Sequence, residues 1–205
     1  MVEKIDFKKV SPGYRAKTSE FQVLTLEPTR YLMVDGTGDP NTSTAYTQAV
    51  ESLYPIAYKL KFASKQIGRD YVMPPLEGLW WADDLTSFTD HRDKSLWHWT
   101  LMLMIPRWLD DGDALQAKEA AQASKNLPAA DKVRIEVLDE GQCVQTLHVG
   151  AYDDEGPVLK SMHEDFIPKH GLQMTGKHHE IYLGDPRRVT PEKLRTILRQ
   201  PVQSL

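Results

Sequence analysis

The spacing of hydrophobic positions changes several times along the chain, and each change marks a predicted element. Phe21 to Val34 is rich in Val, Leu, Thr and Tyr and stops at Asp35-Gly36-Thr37-Gly38-Asp39-Pro40, which predicts a strand running into a tight turn. Asn41, Thr42 and Ser43 are then all competent N-caps. Behind them Ala45, Ala49, Leu53, Ile56, Ala57 and Leu60 recur every three or four residues, so an amphipathic helix is expected to about Phe62, bent at Pro55. Tyr71–Trp81 and Leu96–Ile105 read as strands, separated by a loop carrying Asp83, Asp84, Asp90 and Asp93. An alanine-rich surface helix is expected over Ala114–Ser124, closed by Asn126-Leu127-Pro128. Lys132–Leu138 and Gln142–Val149 flank Asp139-Glu140-Gly141, the pattern of a hairpin. A helix over 154–168, a strand at Lys177–Leu183 and an apolar segment at Thr196–Val202 complete the series.

The element order of 131–205 repeats that of 21–106, with a helix inserted at about 112–125. The expected fold class is therefore α+β: two fused strand-helix-strand-strand modules forming antiparallel sheet, with helices packed on it and a cleft at the module junction. Such junctions are favoured places for small-molecule binding.

Composition narrows the function classes. The 205 residues are 40% hydrophobic and 26% charged, so the chain folds as a globular domain with a sizeable core. The longest apolar run, Leu101–Ile105, falls far short of the roughly 18 residues a bilayer requires, and no membrane partner is expected. Met1-Val2-Glu3-Lys4-Ile5-Asp6 mixes acids and bases where a secretory signal is apolar, which points to a cytoplasmic protein. The net charge of −4 gives no field for nucleic acid, and Arg187, Arg188, Lys193, Arg195 and Arg199 are sparse enough to read as a solvated terminal face. Residues 1–20, polar with Pro12-Gly13 in the middle, read as an extended lead-in. The single Cys143 excludes an intrachain disulfide and a multi-cysteine metal site, and its apolar strand points to packing rather than nucleophilic use. Gly36-Thr37-Gly38 lacks the third glycine of a dinucleotide turn, Asp39 would repel phosphate, and neither a phosphate loop nor a Gly-x-Ser-x-Gly elbow occurs. No cofactor is expected; a protein partner is possible but not indicated, and the expected partner is a small-molecule ligand in the groove where the modules meet.

The most informative segment is Lys177-His178-His179-Glu180-Ile181-Tyr182-Leu183. On a strand, His178, Glu180 and Tyr182 share one face, and His179, Ile181 and Leu183 share the other, which is the natural core side. Glu180 is then either an exposed glutamate on a solvated face or a partly desolvated carboxylate that receives a cation or works as an acid/base. His178 and His179 point to opposite faces and cannot chelate one metal ion. Trp80, Trp81, Trp97, Trp99 and Trp108 lie close together in the sequence and supply flat walls for stacking or for organic cations. Any one of them could equally serve the core. Glu77 is a second acid for the same groove or a surface residue. Tyr152 follows a strand end and could overhang a ligand, whereas Asp153 and Glu155 suit the start of the next helix.

Four motifs carry a family resemblance: Asp35-Gly36-Thr37-Gly38-Asp39-Pro40, Pro75-Leu76-Glu77-Gly78-Leu79-Trp80-Trp81, His148-Val149-Gly150-Ala151-Tyr152-Asp153-Asp154-Glu155, and His178-His179-Glu180-Ile181-Tyr182-Leu183. In this order they resemble the stand-alone GyrI-like small-molecule-binding proteins. The resemblance implies two fused modules around a ligand cleft, with a glutamate among aromatics that receives lipophilic, often cationic, drugs; Glu180 matches that position. It leaves no room for the helix-turn-helix headpiece of related regulators. The tryptophan-rich form is also similar to a subfamily of hydrolases that ring-open cyclopropane-bearing DNA-alkylating natural products. For such an activity the resemblance implies Glu180 as the group that positions or deprotonates water, and Tyr152 or Tyr182 as hydrogen-bond donor to the developing oxyanion.

Overall fold

The computed structural model describes residues 4–83 and 93–205. Met1-Val2-Glu3 and, from the acidic loop, Asp84 and Asp90 lie outside the described residues. In chain order the elements are α1 (Phe7–Val10), β1 (Gln22–Thr25), β2 (Thr29–Thr37), α2 (Thr44–Gln66), β3 (Leu76–Trp81), β4 (His98–Met104), α3 (Asp111–Ser124), β5 (Arg134–Leu138) and β6 (Gln142–Val149). They continue with α4 (Gly156–Lys160), a π-helical turn (Ser161–Phe166), α5 (Ile167–Lys169), β7 (Leu172–Met174), β8 (His178–Tyr182) and β9 (Arg195–Ser204). The class is α+β, as the sequence predicts, and the β1–β6, β2–β4, β2–β5, β3–β8, β6–β9, β7–β9 and β8–β9 ladders are antiparallel.

The chain forms two compact units, and each draws on both halves of the sequence. The first contains Thr29–Pro74 and Trp81–Leu138 together with the N-terminal residues up to Val10. Its β2 pairs with β4 on one side and β5 on the other. Gly36 faces Trp99 in the β2–β4 register, and a Cβ at Gly36 would overlap the indole, so the bare backbone is what lets Trp99 lie flat in the core. Ser43 caps α2 by accepting from the Tyr46 amide, and Ala49, Leu53, Ile56, Ala57 and Leu60 form its buried face. The helix runs through Pro55 to Gln66, one turn beyond the predicted end. The inserted helix, α3, opens with an Asp110/Asp113 capping box and buries Ala114, Ala117 and Ala121.

The second unit comprises Ser11–Pro28, Pro75–Trp80 and Asp139–Leu205. Its strands follow the order β1-β6-β9-β8-β3, with β7 paired to the far end of β9. One face of this sheet is covered by the run α4, π turn and α5. There Met162 and Ile167 pack with Val144, Leu172, Leu198 and Val202, and Phe21 and Phe166 flank them.

Several boundaries depart from the sequence reading for backbone reasons. The strand expected at Phe21–Val34 is interrupted at Leu26-Glu27-Pro28, where proline has no amide to donate, and its two parts serve different units. Tyr71–Trp81 becomes a regular strand only at Leu76, after Pro74-Pro75. The expected hairpin across Asp139-Glu140-Gly141 does not form: β5 pairs with β2, and β6 pairs with β1 and β9. The lead-in is not simply extended, since Phe7–Val10 and Pro12–Tyr14 are helical turns and Tyr14 is buried. Among the described residues no helix is long and apolar enough to cross a membrane.

Candidate functional site

Strand β8 organises the site. Its burial alternates as the period of two predicts: His179 and Ile181 are enclosed, while His178, Glu180 and Tyr182 are half-buried. The register places Gly78 of β3 on one side of Glu180 and Leu198 of β9 on the other. Leu198 belongs to the apolar cluster beneath the helical run, so Glu180 lies on the sheet face that the helices cover.

A hydrogen-bond relay holds the carboxylate. Trp80 Nε1 donates to Tyr182 Oη at 2.9 Å, and Tyr182 Oη donates to Glu180 Oε2 at 2.7 Å. The other carboxylate oxygen lies 3.6 Å from His178 Nε2, and the Glu180 side chain is 15% exposed. Gly78 makes the relay sterically feasible, because a Cβ there would stand 2.9 Å from Trp80 Nε1 and 3.1 Å from Tyr182 Oη. Tyr152 closes one side, its ring edge-on to Tyr182 with centroids 5.6 Å apart. It sits on the short turn after β6, which a 3.0 Å contact between His148 Nε2 and the Ala151 carbonyl fastens. Burial, with the carboxylates of Glu180, Glu155 and Asp185, pushes the Tyr152 phenol up to about 12. Tyr152 is thus a neutral donor at pH 7, in a locally negative field. On the helical side His163 stands edge-on to His178, ring centroids 6.1 Å apart.

The opposite face of β8 holds a second polar cluster, fully enclosed. His179 Nε2 and Nδ1 lie 2.9 Å from Glu77 Oε2 and from Glu140 Oε1 respectively, and Tyr14 Oη donates to Glu77 Oε1. Arg199 donates from Nη1 to Glu140 at 2.8 Å, from Nη2 to the Gly13 carbonyl at 2.6 Å and from Nε to Gln145 at 3.2 Å. Burial alone would raise the Glu140 carboxyl, but His179 and Arg199 outweigh it and hold it at about 2. Burial alone would lower the His179 imidazole; Glu140 and Glu77 reverse that and raise it, so its cationic form is favoured. Two acids and two bases compensate one another here, which is how a buried charge cluster survives.

The structure thus gathers Glu180, Tyr182, Trp80, Tyr152 and His178 in one unit and on one face. Glu77 belongs to the same unit but lies on the other face, bonded to His179 and Tyr14 with no exposed surface. In the first unit, Trp81 stacks on His98 at 5.6 Å and is half-buried, Trp97 is enclosed beneath Lys94, and Trp99 is fully enclosed beside Tyr46. Trp108 donates to Ser64 and packs on Phe7. Glu155 stands at the N-cap of α4 without a side-chain cap bond and joins the field around Tyr152.

Sequence reasoning missed three residues of this region. Glu140 read as a turn residue and Arg199 as part of a solvated basic face, yet the Glu140 side chain is enclosed as the partner of both His179 and Arg199. His163 carried no signal beyond its place in a helical stretch. Cys143 is buried, and burial with the nearby Glu140 charge pushes its thiol up to about 12, in keeping with a packing role.

This face of the sheet carries an acid set among aromatics under a helical cover. Residues 19–203 match the GyrI-like small molecule binding domain, and the chain belongs to that family. Among solved structures, an uncharacterized conserved protein from Listeria innocua is 39% identical over 98% of this chain and 100% of that chain, with a TM-score of 0.88. A hydrolase from Listeria innocua is 38% identical, with the same coverage and a TM-score of 0.82. The EcmrR C-terminal domain shares the fold at 10% identity, with a TM-score of 0.53 over 91% of this chain and 98% of that one. No curated protein matches the chain.

Proposed function

We propose that the chain binds lipophilic, planar or cationic organic molecules at Glu180, with Trp80, Tyr152, Tyr182 and His178 around the carboxylate. The observation that carries this reading is a carboxylate 15% exposed, held by a tyrosine that is itself held by an indole. A partly desolvated carboxylate gains from an organic cation what it has lost from water, and aromatic rings add cation–π attraction. The field of Glu180, Glu155 and Asp185 at Tyr152 favours the same sign of ligand.

A second reading is hydrolysis, favoured by the hydrolase from Listeria innocua at 38% identity over nearly the whole chain. Here Glu180 would position or deprotonate water for attack on a strained ring such as a cyclopropane. The ring carbon–carbon bond breaks, its electrons pass to a conjugated carbonyl, and Tyr152 hydrogen-bonds the resulting oxyanion, the single Tyr182 proton being already given to Glu180. One experiment separates the readings: titration of wild type and Glu180→Gln with planar cations and neutral planar analogues, with mass spectrometry of each mixture. Binding alone predicts saturable affinity for the cations, weakened about tenfold or more in Glu180→Gln, with every ligand recovered unchanged. Hydrolysis predicts a product heavier by one water that Glu180→Gln fails to form. Cations that bind wild type and Glu180→Gln equally, with no product, would remove Glu180 from both readings.

A further inference from the structure

Beside Glu180 stand nitrogen atoms that the relay through Tyr182 leaves unused. His178 Nδ1, His178 Nε2 and His163 Nε2 are all shielded from solvent and make no hydrogen bond. Buried polar atoms without a partner are rare in folded proteins, and a cluster of them next to a ligand site points to groups on the ligand. Their chemistry restricts those groups. Burial, together with neighbouring His178, holds the His163 imidazole down to about 4, so at pH 7 one of its ring nitrogens is a bare acceptor. His178 Nε2 lies 3.6 Å from Glu180 Oε1, and a neutral imidazole there keeps one donor and one acceptor nitrogen. Glu180 Oε1 also keeps lone pairs that the tyrosine does not use, since Tyr182 is bonded to Oε2.

The vicinity therefore offers several acceptors around one negative charge. A metal ion is the obvious rival occupant, but among the described residues no group of three His, Cys, Asp or Glu is placed to hold one. The π-helical turn that carries His163 is an irregularity of the kind that recurs at functional sites, and it supplies the second imidazole from the helical cover.

We propose that this site selects organic cations that carry N–H donors, such as a protonated amidine or amine on a planar apolar body, over quaternary cations of the same size and charge. The inference rests on the reading of Glu180 as the ligand carboxylate and adds the donor requirement to it. A quaternary cation satisfies the charge of Glu180 but leaves the imidazole nitrogens unpaired, whereas an amidinium turns several N–H groups toward them.

The test is calorimetric titration of the full chain at pH 7 with a matched pair, biphenyl-4-carboxamidine and (biphenyl-4-ylmethyl)trimethylammonium. The amidinium is expected to bind about tenfold tighter or better. In His163→Phe and in His178→Phe, each checked for folding by circular dichroism, the ratio of the two affinities should fall toward one. Equal affinities in the wild type, or a tighter quaternary ligand, overturn the donor requirement while binding at Glu180 stands. A preference that survives in both histidine variants overturns the role of the imidazoles. If neither cation binds, the Glu180 reading fails and the inference fails with it.

Discussion

Gly78 and Gly36 show how a single missing methyl group organises each unit. Gly78 lies opposite Glu180, and a Cβ on it would press on both Trp80 Nε1 and Tyr182 Oη. Gly78→Ala is expected to part the indole from the phenol, free Tyr182 from its position and weaken cation binding about tenfold, as titration against wild type would show. An unchanged affinity would mean that the relay has no part in ligand capture. Gly36→Ala presses instead on the Trp99 ring, within the other unit. It should cost about 1–3 kcal/mol of stability through overpacking, read from the urea midpoint. The same scale shows what the sequence made legible. The division of His178, Glu180 and Tyr182 from His179 and Ile181 follows from strand parity alone and needs no tertiary knowledge. The roles of Glu140 and Arg199 do not, because Glu140 depends on His179, 39 residues away in sequence, and Arg199 on Glu140, 59 residues away, and only strand pairing brings them together. Glu140 has the local chemistry of a turn, and nothing in Asp139-Glu140-Gly141 signals burial.

At the scale of elements, periodicity located α2, α3, β4, β6, β8 and β9, whose patterns are long or whose boundaries are punctuated by capping and turn residues. It failed where proline acts on the backbone, at Pro28 and at Pro74-Pro75, and where a hairpin pattern was satisfied by strands pairing elsewhere. The π turn within 154–168 was also invisible, since its extra residue per turn barely alters an apolar pattern. Helix α2 carries a tertiary duty that its amphipathic pattern hides. Ser52, wholly buried in the middle of the helix, accepts a hydrogen bond at 2.9 Å from the Ala129 amide in the segment after α3. Ser52→Ala keeps the helix but leaves a buried N–H without a partner, so a loss of about 1–3 kcal/mol is expected from chemical denaturation. Ser52→Thr retains an acceptor and should recover part of that loss; a neutral Ser52→Ala would show that the amide finds another partner.

At the scale of the whole molecule, three groups shape the dependence of stability on pH from the acid side through neutrality, and they act on different limbs. His163 is held near 4 in the folded chain against an ordinary value of 6.5. The unfolded chain therefore takes up a proton first as pH falls, and folding loses free energy across the window from 6.5 to about 4. Glu140 is held near 2 against 4.5, so its stabilisation is present above pH 4.5 and is lost as pH falls toward 2. His179 is raised above 6.5; its contribution is complete below that value and disappears as pH climbs through the raised one. Urea midpoints for the wild type should accordingly decline on both sides of a maximum, beginning below 6.5 on the acid side. His163→Phe should remove the earlier acid decline and leave the later one. Glu140→Gln should cost about 3–5 kcal/mol near neutrality, because Arg199 and His179 then lack their shared acid, and should shrink the alkaline decline because His179 is no longer raised as far. A wild-type profile that is flat from pH 6.5 to 4 would contradict a buried, neutral His163, and with it the supply of bare acceptors on which selection of N–H cations depends.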